Sequence, residues 1–463
     1  MTRRLVSLVV VILSALVCFS LRPARAAPAA PTFSVNSPAD VVASAPLDNG
    51  VCETAPGNGV CTLRAAIMKA NHYPGGGATT HFGLPGTVTY TLTIAPSGTD
   101  DEASGDLNIT NTMTIVGNGA ANTIIDGNNT DRLFFIGAGN KVTLSGLTIR
   151  NGHATDTSGG GILNEGNLTL INSKVSGNTA NGLYAGGGGI FNGGGLTVTH
   201  SIVSGNTAGG STGDGGGIFA IGPLTLVNST VSGNTSGGNG GGLLLEIIPA
   251  AITNSTINGN MAGVNGGGIF SSATLNVINS TVSGNNSNAN GGGIYNFVGT
   301  TSLFNATITG NLANADSSGV GLGGGVVNAT GVVVNFRNSI IGGNYNVFVS
   351  GFPLLNPEDC SGTITSQGNN ILSTTTDCTV SGGGVTVADP MLGPLANNGG
   401  STQTHALLTG SPAIDAGNAG GCTDNFGAIL TTDQRGFHRP IGSHCDIGAV
   451  EVGPYQYLPL VSR

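Results

Sequence analysis

A unit of 25 to 32 residues recurs seven times in register and constrains this chain more than any other feature. The units open at Gly159, Gly187, Gly215, Gly240, Gly266, Gly291 and Gly323. The stretch from Gly187 through Ile190-Phe191 and Leu196-Thr197-Val198 to Ser204-Gly205-Asn206 shows the pattern, and Gly266 to Asn285 repeats it. A fixed period of this size signals a solenoid, in which each unit buries its apolar face only against its neighbours. With 81 glycines in 463 residues and 8% charged residues, scattered glycines would point to disorder. Held in register, they mark turns instead.

Inside a unit, apolar residues alternate with Thr, Ser and Asn, as in Leu168-Thr169-Leu170 and Leu224-Thr225-Leu226. That is the period of a strand, and three short strands per unit follow. About 25 residues with three strands and tight Gly/Asn turns make one coil of an all-β, right-handed parallel β-helix, rising roughly 4.8 Å per coil. Met113 to Val116, Thr123 to Asp126, Leu133 to Ile136 and Val142 to Asn151 continue the pattern without the triple glycine. The expected organisation is an N-terminal cap over 27–105, at least nine coils over 106–345, a C-terminal cap over 346–453 and a tail over 454–463.

Two columns run through the repeat. Asn178, Asn206, Asn234, Asn260, Asn285, Asn311 and Asn344 close successive units at one turn, where a left-handed backbone is cheap for Asn and amides can bond up and down a stack. They are expected to form a structural ladder rather than a row of glycan or ion sites. Leu163, Phe191, Phe219, Leu244, Phe270, Tyr295 and Val327 form the second column. Facing out, it would be a stacking stripe for sugars or a partner protein, and facing in, it would be core. The cost of exposing so long a stripe favours core or partial cover. The column Thr169, Thr197, Thr225 breaks to Ala251, Asn276 and Ser302, which rules out a regular threonine ladder.

Arg3-Arg4, an apolar run from Leu5 to Leu21 and Ala24-Arg25-Ala26 read as an export signal over 1–26. Losing Arg3, Arg4, Arg22 and Arg25 takes the net charge from -9 to -13, which argues against nucleic acid as a partner. Removing Cys18 leaves six cysteines, and an even count in an exported chain means disulfides. Of 15 possible connectivities, the local pairs Cys52/Cys61, Cys360/Cys378 and Cys422/Cys445 are the economical one. Residues 62–71 form the one clear amphipathic helix, with Leu63, Ala66, Ile67 and Ala70 on one face, and serve as the natural lid. A monomer is expected.

Cys61-Thr62-Leu63-Arg64-Ala65-Ala66 is similar to the CSLREA motif that opens many secreted bacterial β-helix proteins, with Thr for Ser and Ala for Glu. The Gly-Gly-Gly-Ile and Ser-Gly-Asn units resemble the repeats of polymorphic outer-membrane proteins. Asp389-Pro390, Ser411 to Asn418, Asp433-Gln434-Arg435-Gly436, Arg439-Pro440 and Asp446 to Ala449 resemble the choice-of-anchor Q domain. The resemblance implies an extracytoplasmic or cell-surface β-helix platform and no particular reaction.

Parallel β-helices often act on polysaccharides, so catalytic constellations need testing. Glu165 and Glu246 share one offset in their units but lie three coils apart, about 14 Å at strand spacing, too far for a glycosidase pair. Asp126, Asp131, Arg132, Lys141 and Arg150 form the best polar cluster, with Arg150 one coil above Asp126. A lyase would use such an arginine as base beside carboxylate-held calcium. The plainer reading is a surface ion pair. Asp100-Asp101-Glu102 with Asp106 is a second place for calcium, though without a known loop spacing. His153, His200, His405, His438 and His444 are expected in loop or core roles. Asp415, Asp433 and Asp446 with Arg435 and Arg439 are expected to frame the C-terminal region as ion pairs. The expectation is therefore a structural or adhesive platform without a cofactor, its partner a cell-surface polysaccharide or protein. The alternative is a polysaccharide lyase or glycosidase with its site in the early coils.

Overall fold

The computed structural model describes residues 29–97, 101–183, 185–317, 321–349 and 353–453. The leader 1–26, the tail 454–463 and Asp100 lie outside them. The chain is a right-handed parallel β-helix of about nine turns, with one helix among the described residues, Leu63–His72. First strands stack through Ile162, Ile190, Ile218, Leu243, Ile269, Ile294 and Val326 in unbroken register. Second strands stack through Leu170, Val198, Leu226, Ile252, Val277, Leu303 and Phe336. Third strands stack through Val175, Val203, Val231, Ile257, Val282, Ile308 and Ile341. All of these inward side chains are buried, so the core is one continuous column.

A fourth short strand follows the turn after each third strand, from His153–Thr155 through Thr179–Asn181 to Leu312–Ala313. Most of these strands are two or three residues long, which leaves too few side chains to display an alternation. The triple glycine is now explained at Gly187-Gly188-Gly189. Gly187 has φ +67°, a Cβ on Gly188 would run into the Thr207 backbone, and one on Gly189 would lie 2.7 Å from the Gly217 carbonyl.

The seven turn asparagines form a buried ladder. Each Nδ2 donates to the Oδ1 of the next at 2.9 Å, from Asn178 to Asn344. Asn344 then donates to Asp359 at 3.1 Å, so an acid ends the column. A second ladder was not foreseen. Backbone N–H groups of Leu147, Ser173, Ser201, Ser229 and Ser255 donate to the hydroxyls of Ser173, Ser201, Ser229, Ser255 and Ser280 one coil on. Its signal is the Asn-Ser dipeptide between second and third strands, with Asn172, Asn228, Asn254 and Asn279 at φ near +50°.

Parallel winding starts earlier and stops later than the 106–345 span. Thr32–Val35 pairs with Ala78–Phe82, and Val88–Thr91 pairs with Thr123–Asp126. At the other end Cys360–Leu372 stacks on the last full coil, and Cys378–Val387 stacks on it. The helix packs against Thr32–Val35, Ala78–Phe82 and Leu107–Ile109. It is buried on both faces: Arg64 pairs with Asp40 at 2.6 Å, and Lys69 donates to the carbonyls of Ser44 and Pro46.

From residue 388 the chain turns back along the third strands instead of covering the end. Thr256 donates to Gln403 O at 2.7 Å, Thr281 to Gln434 at 2.7 Å, Asn305 to Thr423 O at 2.9 Å and Asn338 to Asp446 O at 2.9 Å. This region is a side brace. Arg435 pairs with Asp433, and Arg439 pairs with Glu451 at 2.9 Å, all fully buried. Cys52–Cys61, Cys360–Cys378 and Cys422–Cys445 are bonded, with Cα separations of 5.2, 5.4 and 5.8 Å. They fasten the lid, the last coils and the brace.

Candidate functional site

The acids and bases of the early coils do not converge. Asp126 and Arg150 are register partners with Nε to Oδ2 at 2.7 Å, and Asn151 donates to both carboxylate oxygens. Burial raises the Asp126 pKa, but hydrogen bonds from the Asn128 N–H, Arg150 and Asn151 outweigh it and hold the carboxyl below its usual range. Arg132 turns elsewhere, to buried Asp106 at 2.7 Å and the Ser158 carbonyl. Asp131 accepts from the backbone of Asp106 and Arg132, and Lys141 stands exposed at the start of a second strand. The five residues thus occupy different sides of the coil. A cleft of about 450 Å³ beside Arg150 is lined by Lys174, His200 and Ile202, but no carboxylate lines it. Replacing Asp126 and Arg150 together by Asn and Met is expected to lower stability by no more than about 1 kcal/mol in a denaturation experiment, because Arg150 is 40% exposed. A larger loss would mean that the pair locks these coils.

The second calcium arrangement is also divided. Glu102 bonds His72 and Asn71, Asp106 holds Arg132, and Asp101 accepts from the Ala103 N–H. Among the other histidines, His405 is clamped between Gly393 O and the Ser283 hydroxyl, both at 2.7 Å.

The outer side of the first strands is different. Because the side chain on each side of it points into the core, the middle residue of every first strand points out. The aromatic column is therefore on the surface, half-buried, rather than core. Phe191 meets Phe219 edge-on at 5.2 Å, Phe270 stacks on Tyr295 at 5.4 Å, and Phe297 extends that pair at 5.7 Å from Phe270. Leu244 joins the two groups and is covered. Phe297, Val298 and Ile247 are 49%, 49% and 71% exposed and widen the apolar strip at its edge. Exposed apolar surface of this extent marks a docking surface more often than chance.

Two acids belong to this face. Asp214 Oδ1 accepts from the Asn239 N–H at 2.6 Å and begins a surface ladder that continues through Asn239, Asn265 and Asn290. Burial pushes the Asp214 carboxyl above the usual range, with Asn239 partly opposing it. Burial also raises Glu246, and the negative charge of Asp214 adds to that. Glu246, set against Glu165 by sequence offset, therefore interacts with Asp214. Asp214 was missed although the sequence held a signal: it occupies the position of Asn239, Asn265 and Asn290 just before each glycine triplet.

Among solved structures, the crystal structure of pectate lyase Pel9A is similar to this chain, with a TM-score of 0.51 and 17% identity over 92% of this chain and 98% of that one. At that identity the likeness is one of fold. No family model and no curated protein matches the chain.

Proposed function

We propose that this chain is a non-catalytic, secreted or cell-surface platform that holds a polysaccharide along the outer side of its first strands. One observation carries the reading: Phe191, Phe219, Phe270 and Tyr295 stand in one outward column, two adjacent coils on each side of the Leu244 coil, with Phe297 beside Tyr295. Rings fixed on a rigid sheet give stacking surface at little entropic cost, since their positions are set before any ligand arrives. The dispersed Asp126, Asp131, Arg132, Lys141 and Arg150 leave the early coils without a base and metal pair. Export is supported by three disulfides and the leader-like residues 1–26. Among the described residues no helix is long and apolar enough to cross a membrane.

The test is a polysaccharide array with the chain from residue 27, read both for binding and for reducing-end or unsaturated products with calcium present. Binding without turnover is expected, reduced about tenfold or more by Phe219→Ala with Phe270→Ala. Turnover on any polymer would make the protein an enzyme and overturn the proposal.

A further inference from the structure

The charge on the aromatic face narrows what can lie there. The first strands from Ile162 to Asn328, with the residues that join them to the second strands, contain no Lys, Arg or His. They contain Glu165 and Glu246, and Asp214 stands at the entry to its own first strand. The basic side chains of the described residues are placed elsewhere. Arg64, Arg132, Arg435 and Arg439 are sealed in ion pairs, Arg150 is tied to Asp126, and Arg337 lies over Phe304. Lys69 is buried within the lid helix and bonded to the Ser44 and Pro46 carbonyls, while Lys141 and Lys174 belong to second and third strands.

We propose that this face selects a glycan chain without acid groups, and that Asp214 and Glu246 accept hydrogen bonds from its hydroxyls. The inference rests on the platform reading above and adds the ligand class to it. Rings stand on adjacent coils, roughly 4.8 Å apart, on each side of the Leu244 coil, so an extended polymer laid parallel to the helix axis meets one group and then the other. Asp214 on the Phe219 coil and Glu246 on the Leu244 coil supply acceptors and no donors when ionised, which suits hydroxyls. A uronate or sulfate in the same place would put like charges together in a partly desolvated strip with no cation to offset them.

Hydroxyethyl cellulose and carboxymethyl cellulose share a backbone and differ in charge, and serve as probes for the chain from residue 27 at low and moderate salt. The neutral polymer is expected to bind at least about tenfold tighter, with the gap shrinking as salt rises. Asp214→Asn with Glu246→Gln, which keeps the acceptor for Asn239, should weaken the neutral polymer several-fold and narrow the preference to within about threefold. Thermal unfolding of that variant close to the parent's confirms that the fold survives. Equal binding of both polymers, or tighter binding of the anionic one, with both lost on Phe219→Ala and Phe270→Ala, overturns the selectivity while leaving the platform intact. Binding of neither polymer, or binding untouched by the Phe substitutions, removes the platform reading and this inference with it.

Discussion

Asn234→Ala is expected to destabilise the β-helix by about 3 to 5 kcal/mol. Asn234 accepts from the Asn206 N–H at 3.0 Å and the Asn206 amide at 2.9 Å, and donates to Asn260 at 2.9 Å and Val203 O at 3.0 Å. It is fully buried. Alanine would take this partner from the Asn206 N–H, from one Asn206 amide hydrogen and from the Val203 carbonyl, each costing about 1 to 3 kcal/mol when water cannot reach it, while Asn260 Oδ1 keeps the backbone N–H of residue 234. Partial collapse of neighbouring turns limits the total. Because each coil contacts only its neighbours, the break interrupts the stack in its middle. Chemical denaturation measures it. A loss below about 1 kcal/mol would show that the ladder is a consequence of turn geometry rather than a source of stability.

Arg439→Met is expected to release the side brace. Arg439 donates to Glu451, to Asn279 on the β-helix, and to the carbonyls of Asp446, Gly448 and Val450, with none of these groups reaching water. Methionine keeps much of the volume but leaves the Glu451 charge buried beside Asp446, a situation that costs about 3 to 5 kcal/mol. The cost falls on the brace, whose apolar cluster is small and centred on Ile340, Ile371, Leu407, Ala413 and Ile447. Limited proteolysis should therefore cut between residues 388 and 451 in the variant while the coils stay resistant. Resistance equal to the parent's would mean that the Cys422–Cys445 bond and the hydrogen bonds to Thr256 and Thr281 hold the brace unaided.

The coils were legible because their signal is repeated: apolar alternation and a turn glycine fall at the same offsets in unit after unit, and a period sums what a single strand hides. The serine ladder and the fourth strands carry shorter signals, an Asn-Ser dipeptide and residue pairs such as Thr207-Ala208, Thr235-Ser236, Met261-Ala262 and Asn286-Ser287, in which only the small second residue recurs. The ends obey no period. Thr32–Val35 and Val88–Thr91 join the sheet across long connections, so nothing local shows that they belong to it. Nor does sequence show that residues after 388 fold back, because that depends on Thr256, Thr281 and Thr307 presenting a polar outer side that a second segment can bond. The candidate site was half visible. The aromatic column could be lined up by offset, but whether it points in or out depends on the pleat, and a shift of one residue reverses it. Asp214 stayed hidden because its role comes from the coil above it, through Asn239 and Glu246.

Hydroxyl-radical footprinting of the protein with and without a polysaccharide that it binds locates the binding face residue by residue. Protection is expected at Phe191, Phe219, Phe270, Tyr295 and Phe297, with Ile202 and the exposed Phe426 of the brace unchanged. Protection at Ile202 and its neighbours beside Arg150, with the aromatic column still fully reactive, would rule out the first-strand face.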